Sequence, residues 1–374
     1  MFEQGPIRPP SEAKSLLIRV TRNCPWNKCT FCRTYKGEKF ELRPVSEIKR
    51  DIQEAKDIAD QVDYISWQSG CGGKVTEEVL NYIYSRYDAS YFHMACWLYY
   101  GGESVFLQDA NSIILKTRDL LEIITFLKEK FPQVTRITTY GRSNTIAKKK
   151  VMELKELATA GLSRIHIGLE TGHDPLLNYI QKGVTASEHV EAGKKVKEAG
   201  ISLSEYVILG LGGRKMTREH AQDTANILNS INPDFIRLRT LAIREDMPLY
   251  QELASGAFQA LTEEEMVREE RLLIENLEGI ESQLISDHAL NLLEEVNGVL
   301  PQDKEKMLAL IDTYLDFPED VRANFTLGKR AMVYHSLNDL LNKQLYLKTE
   351  AAKLRLQKEG NFEETVAELR QKFI

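Results

Sequence analysis

No stretch of this chain approaches the roughly 18 consecutive apolar residues that a membrane-spanning helix requires. Residues Met1 to Pro10 lack the apolar core of a secretory signal. Basic residues do not predominate, since 49 Lys and Arg stand against 55 Asp and Glu for a net charge of −6. That balance argues against binding driven by phosphate electrostatics, so neither nucleic acid nor a membrane is an expected partner. Low-complexity segments and repeats beyond a strand–helix rhythm are missing. Cysteine is scarce, with only Cys24, Cys29, Cys32, Cys71 and Cys96. An odd count with three members crowded together is no disulfide framework, and a reducing, cytoplasmic location is expected. What is present is an ordinary globular composition, 43% hydrophobic over 374 residues. That suffices for one large barrel or two domains.

The crowded cysteines lie in Arg22-Asn-Cys24-Pro-Trp-Asn-Lys-Cys29-Thr-Phe31-Cys32. A structural zinc or a simple ferredoxin cluster takes four protein ligands. Three thiolates in one short loop can hold a [4Fe–4S] cluster and leave one iron open to a substrate or cosubstrate. The alternative is a zinc site completed by His93 or a remote cysteine. Cys71 and Cys96 fit buried small hydrophobes. Their nearness to His93 also leaves room for a second metal or a substrate thiol.

Strand-like and helix-like segments alternate. Ser15–Thr21 reads as a strand, Val45–Ala59 as a helix, and residues 60–103 as an irregular insertion. Val105–Leu107 is a strand and Thr117–Lys130 a helix. Val134–Tyr140, Arg164–Glu170, Ile201–Leu209 and Asp234–Leu241 are strands. Helices over Ile146–Ala160, Ala186–Ala199 and Thr217–Ser230 separate them, with Gly161 and Gly200 as stop signals. Six βα units imply a parallel sheet and a partial (β/α)6 barrel of TIM-like type over residues 1–245. Residues 246–374 read as a mainly helical C-terminal region, with helices over Thr262–Asn276, Lys304–Leu315, Lys329–Lys358 and Phe362–Phe373.

Three strands carry a polar face, which fully buried parallel strands do not need. His166, Gly168 and Glu170 alternate with Ile165, Ile167 and Leu169. Arg237 and Arg239 alternate with Ile236 and Leu238, and Arg136, Thr138 and Tyr140 share a third face. A lumen that binds something polar follows, with Tyr140, His166, Arg237 and Arg239 as candidate substrate residues. Asp287 and His288 join them if the C-terminal region folds over the barrel; otherwise Asp287 caps a helix Ala289–Val296.

The cysteine loop resembles that of the radical S-adenosylmethionine (SAM) superfamily, whose C-x3-C-x2-C triad follows the first strand with an aromatic before the last cysteine. Phe31 matches that aromatic, while the spacing here is the variant C-x4-C-x2-C. Ile167-Gly-Leu-Glu170-Thr-Gly172, Lys182-Gly-Val-Thr185 and Val207-Ile-Leu-Gly210-Leu-Gly212-Gly213 resemble segments of the coproporphyrinogen-dehydrogenase-like and methylthiotransferase-like branch. The similarity spans about residues 15–245. It implies Cys24, Cys29 and Cys32 as cluster ligands. It also implies a SAM site with Phe31, Glu170, Gly210 and Gly212. The superfamily binds the SAM amino group at a GGE sequence, which Gly101-Gly102-Glu103 spells. Yet that stretch precedes the strand, whereas Gln108, Asp109 and Asn111 lie at its C-terminal end, where ligands of parallel barrels bind. Those three are therefore the expected cofactor residues.

The resemblance implies reductive cleavage of SAM and hydrogen abstraction from a small-molecule substrate. A flavodoxin- or ferredoxin-type donor would supply the electron. The alternatives are a tRNA-modifying enzyme, or a haem chaperone or cluster carrier on the same scaffold.

Overall fold

The computed structural model describes residues 2–372. In chain order the strands are β1 (Leu16–Arg19), β2 (Thr21–Arg22), β3 (Glu41–Leu42), β4 (Ser104–Gln108), β5 (Arg136–Gly141), β6 (Leu162–Glu170), β7 (Ser202–Leu209), β8 (Phe235–Thr240), β9 (Gln283–Ile285) and β10 (Gly298–Val299). One eight-stranded sheet has the order β1-β4-β5-β6-β7-β8-β9-β10, and β2 pairs with β3 separately. The neighbours β1–β4, β4–β5, β5–β6, β7–β8 and β8–β9 are parallel. The short β9–β10 pair in this sheet is antiparallel. Parallel neighbours need crossovers, and helices provide them. The fold is α/β, with the six-unit (β/α) succession of a TIM-like barrel plus the unexpected short strands β9 and β10.

Contacts divide the chain into two compact units. The first holds residues up to 27, 34–167 and 191–203; the second holds 28–33, 168–190 and the chain from 204 onward. In the first, Ile18, Val105, Leu107 and Ile137 are buried on alternate strand positions. The helix Val45–Gln68 packs against β1 and against the helix Thr117–Lys130. Its buried stripe is Ile48, Ile52, Ala55, Ala59, Val62 and Ile65, the 3–4 residue spacing of an amphipathic helix. It therefore runs nine residues beyond its expected end at Ala59. The supposed irregular insertion, 60–103, is mostly helical, with further helices Glu77–Arg86 and Ala89–Tyr99. Thr76 and Asp88 cap them by accepting bonds from Val79 N and Ser90 N. The aromatic residues that disguised this stretch pack from helices, as Trp97 does edge-on to Phe131.

In the second unit Val207, Ile236 and Leu238 are core positions, and the helices Gly213–Ile231 and Glu263–Glu275 pack together. The expected helix Lys329–Lys358 is two helices, Glu319–Arg330 and Lys343–Glu359. Met332 between them turns left-handed (φ 57°), which ends the first, and Asn342 caps the second. No helix forms over Ala289–Val296, so Asp287 caps nothing there. The last helix is Phe362–Gln371; Phe373, in the expected range, lies outside the described residues. No helix among the described residues is long and apolar enough to cross a membrane.

Candidate active site

After β1 the chain turns through Asn23 and Asn27, both left-handed (φ 67° and 50°), a conformation asparagine tolerates well. Asn27 N donates to the Cys24 thiol at 3.4 Å. A buried carboxylate organises the flanks of this turn. Asp109, just past β4, accepts bonds from Asn23 N at 3.1 Å, from Arg19 Nε and Nη2 at 2.9 and 2.7 Å, and from the Tyr35 hydroxyl. Burial, then the Asp109 charge, pushes the Tyr35 hydroxyl well above its ordinary pKa. Gly5 closes over the carboxylate, where a Cβ would come within 2.6 Å of Asp109 Oδ1.

In the second unit, Cys32 N donates to Cys29 O at 3.4 Å. The Thr30 backbone between them bonds Ile180 O at 3.0 Å and Leu249 N at 3.0 Å. Phe31 packs against an apolar cluster that includes Leu176, Ile180, Leu211 and Leu249. None of the three cysteines of the loop is in a disulfide; Cys29 is buried and the other two are half-buried. A loop of three such cysteines suits a [4Fe–4S] cluster, in which each thiolate takes a different iron. Among the described residues no three His, Cys, Asp or Glu side chains gather as ligands of a metal ion.

Beside Phe31 stands a charged group. Lys182 Nζ lies 5.8 Å from the Phe31 ring centroid and donates to Glu170 Oε1 at 2.7 Å. Glu170 is itself left-handed (φ 63°) at the strand end. Gly168 leaves room for the pair, since a Cβ there would meet Glu170 Oε1 at 2.1 Å. Glu205 on β7 is fully buried, and neither of its carboxyl oxygens has a hydrogen-bond partner. Burial and then the Glu170 charge raise its pKa well above the ordinary carboxylate range. The sequence reading missed Glu205. Its signal was a lone acid inside an otherwise mostly apolar strand, which is costly unless the acid is neutral or used.

Gly210 ends β7 left-handed (φ 80°), and its N–H donates to Glu269 Oε1 at 2.6 Å. Glu269, also missed, takes the Thr217 hydroxyl on its other oxygen. Gly212 has ordinary φ, but a Cβ there would meet the Met216 backbone at 3.0 Å. The helix Glu263–Glu275 thus holds the turn after β7 through Glu269.

Gln108, Asp109 and Asn111 lie at the C-terminal end of β4, and Gly101-Gly102-Glu103 precedes its start, as expected. Their side chains are nevertheless taken up by the protein. Gln108 bonds Gly5 N, Gly5 O and Ile7 O at 2.8, 3.1 and 2.6 Å. Asn111 bonds Thr145 Oγ1 and Arg142 N, each at 2.9 Å. These bonds position the turn.

The candidate substrate residues fall in two places. His166 is buried with Nε2 3.5 Å from Glu12 Oε1, and the Tyr140 ring lies 5.8 Å from it. Burial opposes ionisation of Glu12, but hydrogen bonds from His166 and Ser15, with the Arg136 charge, hold its pKa below the usual value. Arg237, Arg239, Asp287 and His288 gather separately in the second unit. Cys71 and Cys96 are half-buried, not core residues, and burial raises the Cys96 thiol.

The family model of the radical SAM superfamily matches residues 18–228. The tRNA uridine(34) acetyltransferase of Methanocaldococcus jannaschii is 22% identical over 116 residues, 31% of this chain and 21% of that protein. The biotin synthase of Hydrogenobaculum sp. is 33% identical over 119 residues, 32% of this chain and 34% of that protein. The chain thus covers only about a fifth to a third of these relatives' length. Coproporphyrinogen III oxidase (HemN) from Escherichia coli, a solved structure, has 16% identity and a TM-score of 0.36, covering 61% of this chain and 49% of that one. With more than half of its length matched, the chain belongs to the radical SAM superfamily, a family of enzymes whose cofactors are a [4Fe–4S] cluster and SAM.

Proposed function

We propose that this protein is a radical SAM enzyme in which Cys24, Cys29 and Cys32 hold the cluster and that it acts on a small-molecule substrate. The observation that carries the reading is the loop of three cysteines outside any disulfide, which lies inside the matched family region. Bound together, cluster and SAM supply reductive C5′–S cleavage and a 5′-deoxyadenosyl radical for hydrogen abstraction; the protein supplies position and water exclusion. Asp109 sets the turn that carries Cys24. Phe31 and the Gly210–Gly212 segment offer an apolar wall and a close backbone approach for the adenine. Glu170, paired with Lys182, and the buried Glu205 would offer a ligand bearing a sulfonium and an ammonium two carboxyl groups in a low-dielectric setting. Glu170 would take the ammonium or a ribose hydroxyl. A flavodoxin- or ferredoxin-type reductant is the electron donor this chemistry calls for.

Anaerobic reconstitution tests the reading. With dithionite and SAM the wild type should release 5′-deoxyadenosine. Cys29→Ser should lose both the visible iron–sulfur absorbance and that product. An intact cluster in Cys29→Ser would remove this cysteine from the ligand set.

A second reading, action on tRNA, draws support from the likeness to the tRNA uridine(34) acetyltransferase. The net charge of −6 weighs against it. Salt-dependent retention of tRNA in a gel shift would favour it.

A further inference from the structure

Strand β8 carries Arg237 and Arg239 on alternate positions between the core residues Ile236 and Leu238. Their side chains are only 5% and 13% exposed. Both reach a single carboxylate: Arg237 Nη1 donates to Asp287 Oδ2 at 3.3 Å and Arg239 Nη1 to Asp287 Oδ1 at 3.0 Å. Asp287 is the outermost of the three, 39% exposed. Each guanidinium presents five donors in a planar fork, and one shared carboxylate does not fill two forks. Arg237 Nε and Arg239 Nη2 are buried and meet no acceptor. Aromatic rings line the site, with Phe235 at 5.7 Å from Arg237 and Tyr206 at 4.9 Å from Arg239. Tyr206 is also the β7 residue in register with Arg237.

The surroundings do not supply the missing negative charge. Arg330 and Arg370 both turn to Glu263, at 2.7 and 4.0 Å. His288 is neutral, because burial and then the Arg239 charge push its pKa down to about 4, with Arg330 and Arg370 adding to the effect. Four guanidiniums thus answer to Asp287 and Glu263.

We infer that Arg237 and Arg239 receive an anionic group of the substrate, a carboxylate or a phosphate, and that Asp287 is a placeholder which this group displaces. Both anions match the guanidinium fork with paired charge-assisted bonds. Leaving buried guanidinium donors unmet is costly. A half-exposed aspartate is the easiest of the three partners to move. The anion's role as substrate rests on the proposed function; its binding does not.

The reconstituted full chain is melted in phosphate, in citrate and in chloride at equal ionic strength, as wild type, Arg239→Gln and Asp287→Asn. Phosphate and citrate stabilise proteins in general by exclusion from the surface, so the difference between variants is the readout. Phosphate or citrate should raise the melting temperature of the wild type more than that of Arg239→Gln. It should raise that of Asp287→Asn most of all, because the competing carboxylate has lost its charge. A response to phosphate alone assigns a phosphate, to citrate alone a carboxylate, and to both a site open to either. Equal shifts in all three proteins, or a smaller shift in Asp287→Asn than in the wild type, overturn the inference. If Arg239→Gln does not fold, Asp287→Asn against the wild type decides. SAM cleavage by the wild type without substrate is measured in parallel. Its absence would count against the proposed function and leave the anion result standing.

Discussion

Glu270 lies fully buried on the helix Glu263–Glu275, with Ser286 Oγ 3.4 Å from its carboxyl. Burial pushes its pKa up to about 8, and Ser286 offsets only part of that. The native state then keeps a proton that the unfolded chain releases above the ordinary glutamate value of 4.5. Stability falls as pH rises through this window and levels off above it, by at most about 1.4 kcal/mol per pH unit. Glu270→Gln is neutral throughout, so its melting temperature should gain on the wild type between pH 5 and pH 9. Parallel curves would show that Glu270 ionises freely. Asp109 makes a different case, a buried carboxylate paired with Arg19. Asp109→Asn weakens the Arg19 pairing and the hold on Asn23 and Tyr35, and should cost about 3 kcal/mol. Iron bound per folded chain after reconstitution should drop; unchanged iron would separate Asp109 from the cysteine turn. Glu270 and Glu205 were unequally visible in the sequence. Met266, Val267, Leu273 and Ile274 trace a buried stripe on which Glu270 falls, so helical spacing alone carried its burial. Glu205 offered no such pattern, because its environment comes from Glu170 and Lys182, distant in sequence.

At the scale of elements, periodicity succeeded where one face stays apolar. Thr117–Lys130 matches its expected bounds, and Thr262–Asn276 gave the helix Glu263–Glu275 with Thr262 and Asn276 as its caps. It failed where aromatic and small residues broke the count. The stripe Ile48–Ile65 continues unbroken past Ala59, but Tyr, Trp and Gly nearby masked it. Strands β9 and β10, of three and two residues, are too short for any alternation to register. The terminal helix Phe362–Gln371 is held by Val366 and by Arg370, whose Nη2 donates to Leu241 O at 2.6 Å. It walls a cavity of about 300 Å³ that also touches Gly210 and Met266. Arg370→Ala should speed hydrogen exchange across residues 362–371 while the sheet stays protected. Unaltered exchange would mean that packing around Val366 suffices.

For the whole molecule, the alternation of strands and helices and the six parallel units were legible, because parallel sheets force long, regular crossovers. The assignment of chain segments to compact units was not. Residues 28–33 and 168–190 belong with the chain from 204 onward, and 191–203 with the earlier part. Local patterning carries no record of such returns. The C-terminal region therefore shares its unit with strands from the matched family region. A chain cut after residue 245 should expose apolar surface and be recovered aggregated or molten. A cooperatively melting 1–245 fragment would show that the earlier residues fold alone.

In the proposed function Glu205 would turn the capture of a cation into an exchange. A carboxyl whose pKa burial raises beside the Glu170–Lys182 pair would gain from ionising once a sulfonium or ammonium arrived, so a proton would leave as the ligand entered. The heat of SAM binding should then depend on the ionisation enthalpy of the buffer. The slope of that dependence counts the released protons, about one for the wild type and about none for Glu205→Gln. Binding of SAM should also tighten as pH rises, by up to about tenfold per pH unit, as though hydroxide were a cosubstrate of recognition.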